Sequence, residues 1–481
     1  MRRFIERRLN ERYIRTIAIV VLAIFTIVLT VSFATAKRGK TVFGPFLGAD
    51  FGAFYVAGQI YHNYGAASIY DAELHRRVYK ENFPDAPADE QLFYANAPFF
   101  VLPFILLSRL PYALAYFIWL LISVGLFIAG FSILWRTLPL PREIRLTAVL
   151  VALSFWPFLV ECLAGGQTSA FGFFCLAVAI ALENRSRFWS GVVLALCAYK
   201  PTLLLLIVPM LLVSGRWLTI VGLAVGSLIL GLISLLVVGV QGCFNFLNRL
   251  LFFTNATANT EGGLRGWKYV DVNAFMRLLL PHHTNVRWAV IAVIALLVIP
   301  LLVAKWWRLK EQSQSRLLWA LTITWTPVLT IYMGIYDSTI LVLAGLLLTA
   351  EFYSRGYRAD SLPFVYKCFL LALYLSPWFT QNIALMIRVQ IYTLAIAAFG
   401  IYQLFKREER GCDGSHSRAT RRVPVCVDVE QGITTGRFRQ AWNLISFVFH
   451  NPILWHSSTR PLIDRNNVFI AADHVHTRAC G

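Results

Sequence analysis

The sequence predicts an all-α polytopic membrane protein of about twelve transmembrane helices, within a range of about eleven to thirteen. Three observations carry that prediction. Of the 481 residues, 58% are hydrophobic and 14% charged, where soluble domains sit near roughly half and a quarter. Mean hydropathy is +0.62. Apolar runs near the length of a bilayer crossing recur along the chain, joined by short basic linkers. So few ionised side chains cannot solvate a globular surface, which excludes a soluble enzyme, a disordered chain and a disulfide-rich secreted module. The net charge of +19 fits a positive-inside bias on cytoplasmic linkers, and no nucleic-acid partner is expected.

The elements follow in order. Residues 1–16 carry Arg2, Arg3, Arg7, Arg8, Arg12 and Arg15, which predicts a cytoplasmic N-terminus ahead of a first span at 17–34. Ala34-Thr35-Ala36 has the form of a signal-peptidase site, but the apolar run before it exceeds a signal h-region, so the helix is expected to stay. Further apolar runs lie at 111–135, 146–163, 169–182, 188–199, 202–213, 217–240, 286–304, 317–334, 338–350, 364–378 and 383–405. Inside a bilayer each must be helical, because its backbone groups find partners only within the segment. The linkers 136–145, 185–187, 305–316, 355–358 and 406–410 are basic, as is Arg216. Placing all of them inside closes the alternation and leaves both termini cytoplasmic, in the plasma (inner) membrane of the cell. Two stretches set the range of the count. Residues 97–107 are apolar but short and read as re-entrant, and 188–213 is either two helices or one interrupted at Lys200-Pro201.

The expected organisation is a cytoplasmic N-terminus (1–16), a membrane domain (17–405) and a mostly disordered cytoplasmic tail (406–481). The membrane domain includes two long outer loops, 37–96 with amphipathic helices and 241–285. A transporter usually keeps such loops short, whereas an enzyme acting on a lipid-bound substrate needs them to roof a cavity. Cys162, Cys175, Cys197 and Cys368 read as small core residues, Cys243 falls in the second outer loop, and Cys412, Cys426 and Cys480 lie in the tail. There is no C-x-x-C pair, and His474 and His476 on the tail form a weak ligand set, so no metal and no other cofactor is expected.

Ionisable groups at or within a membrane are costly and therefore candidates for function. Asp50 stands just past the first span, followed by Phe51, Phe54, Tyr55, Gly58 and Tyr61 at helical spacing. Two readings stay open for it: a helix N-cap, or a carboxylate at the bilayer surface acting as general base. Tyr70-Asp71 opens a second polar helix, with Asp71 expected as its cap. Tyr94 and Asn96 line a cavity mouth or serve as interfacial anchors. Lys200 interrupts an apolar stretch, and its ammonium either snorkels to the interface or binds a lipid phosphate. Gln167 follows Gly165-Gly166 in a tight turn and either bonds a sugar hydroxyl or satisfies the turn. Asp337 is a cap or a ligand. Arg265, Trp267, Lys268, His282 and His283 mix basic and aromatic side chains in the second outer loop. Neither outer loop holds an Asp-x-Asp pair, and no Gly-rich or Walker phosphate loop occurs.

Taken together, Asp50-Phe51 with Phe54-Tyr55 and Gly58, the Tyr70-Asp71 step, Tyr94 to Pro98 with Pro103 and Leu110-Pro111, Gly166-Gln167, Lys200-Pro201, Gly215-Arg216-Trp217 and Tyr336-Asp337 resemble the polytopic glycosyltransferases of family 87 across residues 14–405. The resemblance implies a GT-C-like architecture, a polyprenyl-phosphate sugar as donor, usually mannose, and a lipid or glycan acceptor at the outer membrane face, with membrane lipids around the protein. It implies inversion in a single displacement, with Asp50 as general base. Lys200, Arg265, Lys268 and His282 are then the expected ligands of the donor phosphate, and Tyr55, Tyr94, Asn96, Gln167 and Asp337 those of sugar and acceptor. The alternatives are a flippase for a lipid-linked sugar, though no repeat relates the two halves, and a ligase or polymerase of lipid-linked glycans.

Overall fold

The computed structural model describes residues 11–406 except 38, 44–45, 86–92, 260–265 and 313. Arg265, the arginines of residues 1–10 and the tail from 407 onward therefore lie outside the described residues. Among the described residues the chain is all helix, with isolated bridges and no strand. It is the polytopic all-α membrane protein that its composition predicts.

The expected row of about twelve crossings resolves into two kinds of helix. Six described helices are long and apolar enough to cross a membrane: Glu11–Thr35, Tyr112–Trp135, Trp217–Phe252, Thr284–Glu311, Ile335–Ser354 and Phe364–Ile387. A seventh crossing forms if Arg145–Leu153 and Pro157–Ala164, bent by 49°, count as one. Pro98–Leu107, Ser169–Glu183, Arg187–Tyr199, Pro201–Val213 and Ile391–Phe405 are apolar but shorter. Ser169–Glu183 has 15 residues, and at ~1.5 Å per residue it reaches about 22 Å, short of the ~30 Å hydrocarbon layer. It is buried along nearly its whole length, so its surroundings are protein rather than lipid. The long helices behave oppositely: Leu236 is 86% exposed and Leu296 74%, as expected of side chains whose solvent is hydrocarbon.

The interior explains why these helices meet. Phe127 of Tyr112–Trp135 stacks on Phe158 at 4.0 Å and on Phe173 at 4.3 Å between ring centroids. Helix Arg187–Ala195 lies against Trp217–Asn259 backbone to backbone: a Cβ on Gly191 would stand 1.9 Å from the Thr219 carbonyl oxygen, and one on Gly222 2.0 Å from that of Phe188. Small residues at a crossing are how membrane helices approach closely. Inside Ser315–Leu329, Thr322, Thr324 and Thr326 return their hydroxyls at 2.8 Å to the carbonyl four residues earlier, which satisfies polar groups that have no access to water.

The two expected outer loops are largely helical. The first folds into Phe51–Tyr64, a short 3-10 turn at Ala66–Tyr70, and Ala72–Asn82. Phe51 through Gly58 is buried on every side, so this segment is a core helix rather than the amphipathic surface helix its spacing predicts. Much of the second continues Trp217–Asn259 past a kink at Gly239 (φ 71, ψ 177), and Cys243 therefore sits in a helix. After it come a turn at Gly266–Lys268 and helix Val272–Leu279. The stretch 188–213 is interrupted, as its Lys-Pro pair suggests: Arg187–Ala195 and Ile207–Val213 flank two 3-10 turns that meet at Lys200.

Candidate functional site

Asp50 follows the turn that leads from the first helix into Phe51–Tyr64. Its side chain makes no capping hydrogen bond to that helix. The Gln167 amide instead donates to Asp50 Oδ2 at 2.7 Å. Two turns are pressed together to achieve this. The Asp50 and Phe51 amides both donate to the Gly165 carbonyl, at 2.9 and 3.2 Å. Gly166 has φ +75, and a Cβ there would stand 2.5 Å from the Phe51 Cβ, so only glycine fits the turn. Helix Tyr112–Trp135 clamps both turns from behind. The Tyr112 hydroxyl donates to the Leu47 and Gly48 carbonyls at 2.7 and 2.8 Å, and the Tyr116 hydroxyl to those of Leu163 and Ala164 at 2.7 and 2.9 Å. Phe51, fully buried, packs on both tyrosines with centroids 5.6 Å away.

The Gly165-Gly166-Gln167 turn ends a π-helical stretch, Pro157–Ala164, that carries Glu161. Wide turns of this kind are frequent at functional sites. The Trp156 indole donates to Glu161 at 3.2 Å, and the Gln381 amide donates to the same oxygen. Trp156 and Trp378 lie 4.7 Å apart, an aromatic wall beside the carboxylate. Glu161 is within electrostatic reach of Lys268 and Asp50.

A third layer comes from the segment between Trp217–Asn259 and Thr284–Glu311. Val270 N donates to Met333 O at 2.8 Å, and Gln390, buried at the start of Ile391–Phe405, donates to the Trp267 and Tyr269 carbonyls at 2.9 and 2.5 Å. Asp271 is buried and accepts from the Ala274 amide at 2.8 Å and the Met333 amide at 3.0 Å. Its burial pushes the carboxyl up to about 7 against the pull of those amides. These contacts place Lys268 near Glu161, and Tyr269 and Tyr336 within electrostatic reach of Asp50.

Among the residues singled out from sequence, Asp50 and Gln167 are bonded to each other, and Lys268 lies within electrostatic reach of Glu161. Lys200 and Asp337, treated separately as phosphate and sugar ligands, are bonded to each other, with the Lys200 ammonium 4.4 Å from the Tyr336 ring centroid. The charge of Lys200 is thus balanced inside the protein, and Asp337 is an ion-pair partner rather than a helix cap. Asp71 is the cap it was expected to be, accepting from the Glu73 and Leu74 amides at 2.9 and 3.0 Å. The Tyr55 hydroxyl donates to Leu110 O at 2.8 Å and that of Tyr94 to Ala97 O at 3.1 Å, while the Asn96 carbonyl accepts from Tyr70 at 2.8 Å. The Tyr55 and Tyr94 bonds tie the first outer segment to the short helix region after it, and the Tyr70 bond closes the segment on itself. His282 is exposed at the corner before Thr284–Glu311.

Sequence reasoning missed Glu161, Gln381, Tyr269 and the buried Arg277, and quoted Tyr336 only as the neighbour of Asp337. For Glu161 the signal was present, because it is the one charged residue of the 146–163 apolar run. Arg277 too is a lone charge, between Ala274-Phe275-Met276 and Leu278-Leu279-Leu280, but that run is shorter than a membrane crossing, and nothing local marks Gln381 or Tyr269. Among the described residues no group of acidic, histidine and cysteine side chains is arranged to hold a metal ion.

A model of glycosyltransferase family 87 matches residues 94–333. That stretch contains Gln167, Lys200, Glu161 and Lys268, and stops short of Asp50 and Asp337 on either side. Searches among curated proteins and among solved structures returned no match.

Proposed function

We propose, from the premise that the chain belongs to glycosyltransferase family 87 and is a membrane glycosyltransferase, that it moves one sugar from a polyprenyl-phosphate donor to a hydroxyl of a lipid or glycan. Mannose is the first sugar to test, and Asp50 is the general base. The observation that carries this reading is the bond from Gln167 to Asp50. It holds a carboxylate at the start of Phe51–Tyr64 in a fixed direction, without using it as a cap. A base must be oriented toward the proton it takes before its pKa matters.

The chemistry runs as one displacement. The acceptor hydroxyl oxygen attacks the anomeric carbon while its proton passes to Asp50. The bond from that carbon to the phosphate oxygen breaks, and the electron pair leaves with the polyprenyl phosphate. One displacement inverts the anomeric centre. The tryptophans at 156 and 378 offer flat apolar faces to the sugar or the first prenyl units. Fixed positive charge from lysine, arginine or histidine offsets the charge growing on the leaving phosphate.

Charge distribution supports an extracytoplasmic site. Lys305, Arg355 and Lys406, from three basic linkers, line one cavity, and Arg216 donates to Ser315 of the first of them at 3.2 Å. Glu11 at the start of the first helix accepts from Thr147 at 2.8 Å, next to the basic linker 136–145. Asp50 follows the other end of that 25-residue helix. The positive-inside rule then puts the linkers in the cytoplasm and Asp50 on the far side.

The test is incubation of purified protein with several polyprenyl-phosphate sugars and membrane lipids, followed by mass analysis. Addition of a single hexose, lost in Asp50→Asn, is the expected result. Movement of a lipid-linked sugar across vesicles with no new glycosidic bond would replace this reading with a flippase, and addition of an oligosaccharide with a ligase.

A further inference from the structure

Two arginines are buried at the corner between Val272–Leu279 and Thr284–Glu311. Arg277 is 8% exposed and Arg287 fully buried. Among the described residues, none of the three guanidinium nitrogens of Arg277 finds a hydrogen-bond partner. Asp271, the acidic group that faces it, is turned away in hydrogen-bonding terms, because Oδ1 accepts from Ala274 and Oδ2 from Met333. Arg277 therefore feels the charge of Asp271, as it does the phenol of Tyr269 and the like charge of Arg287, while its own donors stay unsatisfied. A buried cation without hydrogen bonds is strongly unfavourable. A fold that keeps one, beside a second arginine, is shaped for an anion that completes it.

We propose that Arg277, supported by the charge of Arg287, is a phosphate-binding site, and that it receives the phosphate of the lipid donor and of the leaving polyprenyl phosphate. The donor part of this statement rests on the glycosyltransferase reading above. A guanidinium presents five N–H donors in a planar fork that matches the oxygens of a phosphate, and Lys200, already paired with Asp337, is less suited to the task. The placement agrees: Tyr269 lies within electrostatic reach of both Arg277 and Asp50. The phosphate end of a glycosyl phosphate on the Arg277 side leaves the sugar toward the carboxylate that takes the acceptor proton.

The experiment measures binding of a polyprenyl monophosphate, of the matching prenol and of inorganic phosphate to the full-length protein in detergent. Wild type is compared with Arg277→Gln and Arg277→Lys, and ligand-free melting temperatures are recorded in parallel. Expected is binding of the monophosphate well above the prenol, weakened about tenfold or more in Arg277→Gln and less in Arg277→Lys. The ligand-free Arg277→Gln protein should melt no lower than wild type, since an unpaired buried charge has been removed, whereas a purely structural arginine would lower it. Unchanged affinity for the monophosphate in Arg277→Gln overturns the proposal, as does a wild type that binds neither phosphate. If inorganic phosphate binds through Arg277 but the lipid phosphate binds no better than the prenol, the anion site stands and the polyprenyl-phosphate donor falls. Should the variants not fold, hydrogen exchange on wild type decides: the monophosphate must slow exchange across 272–279, and no change there overturns the assignment.

Discussion

Gln167 Nε2 stands 2.7 Å from Asp50 Oδ2, although 117 positions separate the two residues in the chain. One belongs to the turn after the first helix and the other to the turn after the π-helical stretch, and the Gly165 carbonyl stitches the turns together. On the general-base reading proposed for Asp50, Gln167 is a positioning residue: it aims the carboxylate and does not itself take a proton.

Asp50→Asn is expected to lower transfer by about 10²–10⁴-fold, the usual worth of a general base. Binding of a polyprenyl monophosphate should be retained, since the substitution removes no positive charge. Retained turnover in the variant would end the general-base assignment.

Gln167 separates orientation from chemistry. Gln167→Ala should reduce kcat by about 10–100-fold, the value of a hydrogen bond to a charged group. Gln167→Glu should instead put a second carboxylate beside the first. Like charge disfavours ionisation, so the pKa of Asp50 rises and the acid limb of the kcat/KM profile moves to higher pH. A profile that does not move in the glutamate variant would show that Gln167 acts elsewhere.

Gly166→Ala forces a Cβ onto Phe51 at a positive φ. Overpacking and left-handed strain together should cost about 1–3 kcal/mol, seen as a lower unfolding temperature in detergent. Activity should fall with it, because the same turn carries Gln167. Full activity at unchanged stability would mean that the two turns are not locked as described.

The Lys200–Asp337 pair predicts non-additive damage. Lys200→Met or Asp337→Asn alone leaves one charge in a buried setting without its partner, an effect of about 3–5 kcal/mol. The double variant removes both charges and should recover much of that stability. A double-mutant cycle on thermal unfolding reads this directly, and additive losses would contradict a structural ion pair.

Asp271 supplies a pH dependence whose sign can be worked out. Its carboxyl titrates near 7 in the fold, against 3.8 ordinarily. Between those values the folded chain holds a proton that the unfolded chain has released. The stability this confers is complete below about 4 and is lost as pH rises through about 7. Hydrogen exchange at the Ala274 and Met333 amides should therefore quicken between about pH 4 and pH 7 by more than the chemistry of exchange alone requires, the excess levelling off above about 7, and Asp271→Asn should flatten it.

How much of this was legible in the sequence differs from residue to residue. Helicity and the membrane were written in composition, because a long apolar segment without water must bond its own backbone. The Asp71 cap was legible for a similar reason: its partners, Glu73 and Leu74, lie two and three residues away. The break at Lys200-Pro201 was visible because proline cannot donate to a helix. Asp50 was singled out by its place after the first span, but capping and catalysis could not be told apart there, since the deciding partner lies in another helix.

Tertiary structure alone decided the pairings. Lys200 meets Asp337 across 137 positions, and Gln381 meets Glu161 across 220. The two expected ligands that became an ion pair, and the buried Arg277 in a run too short for a crossing, follow from where each turn deposits its side chain once helices have packed. The periodicity of an apolar run specifies that it is a helix and that it is buried or faces lipid. It carries no information on which distant polar group will share its pocket, because that is set by the crossing of backbones at contacts such as Gly191 with Thr219 and Gly166 with Phe51.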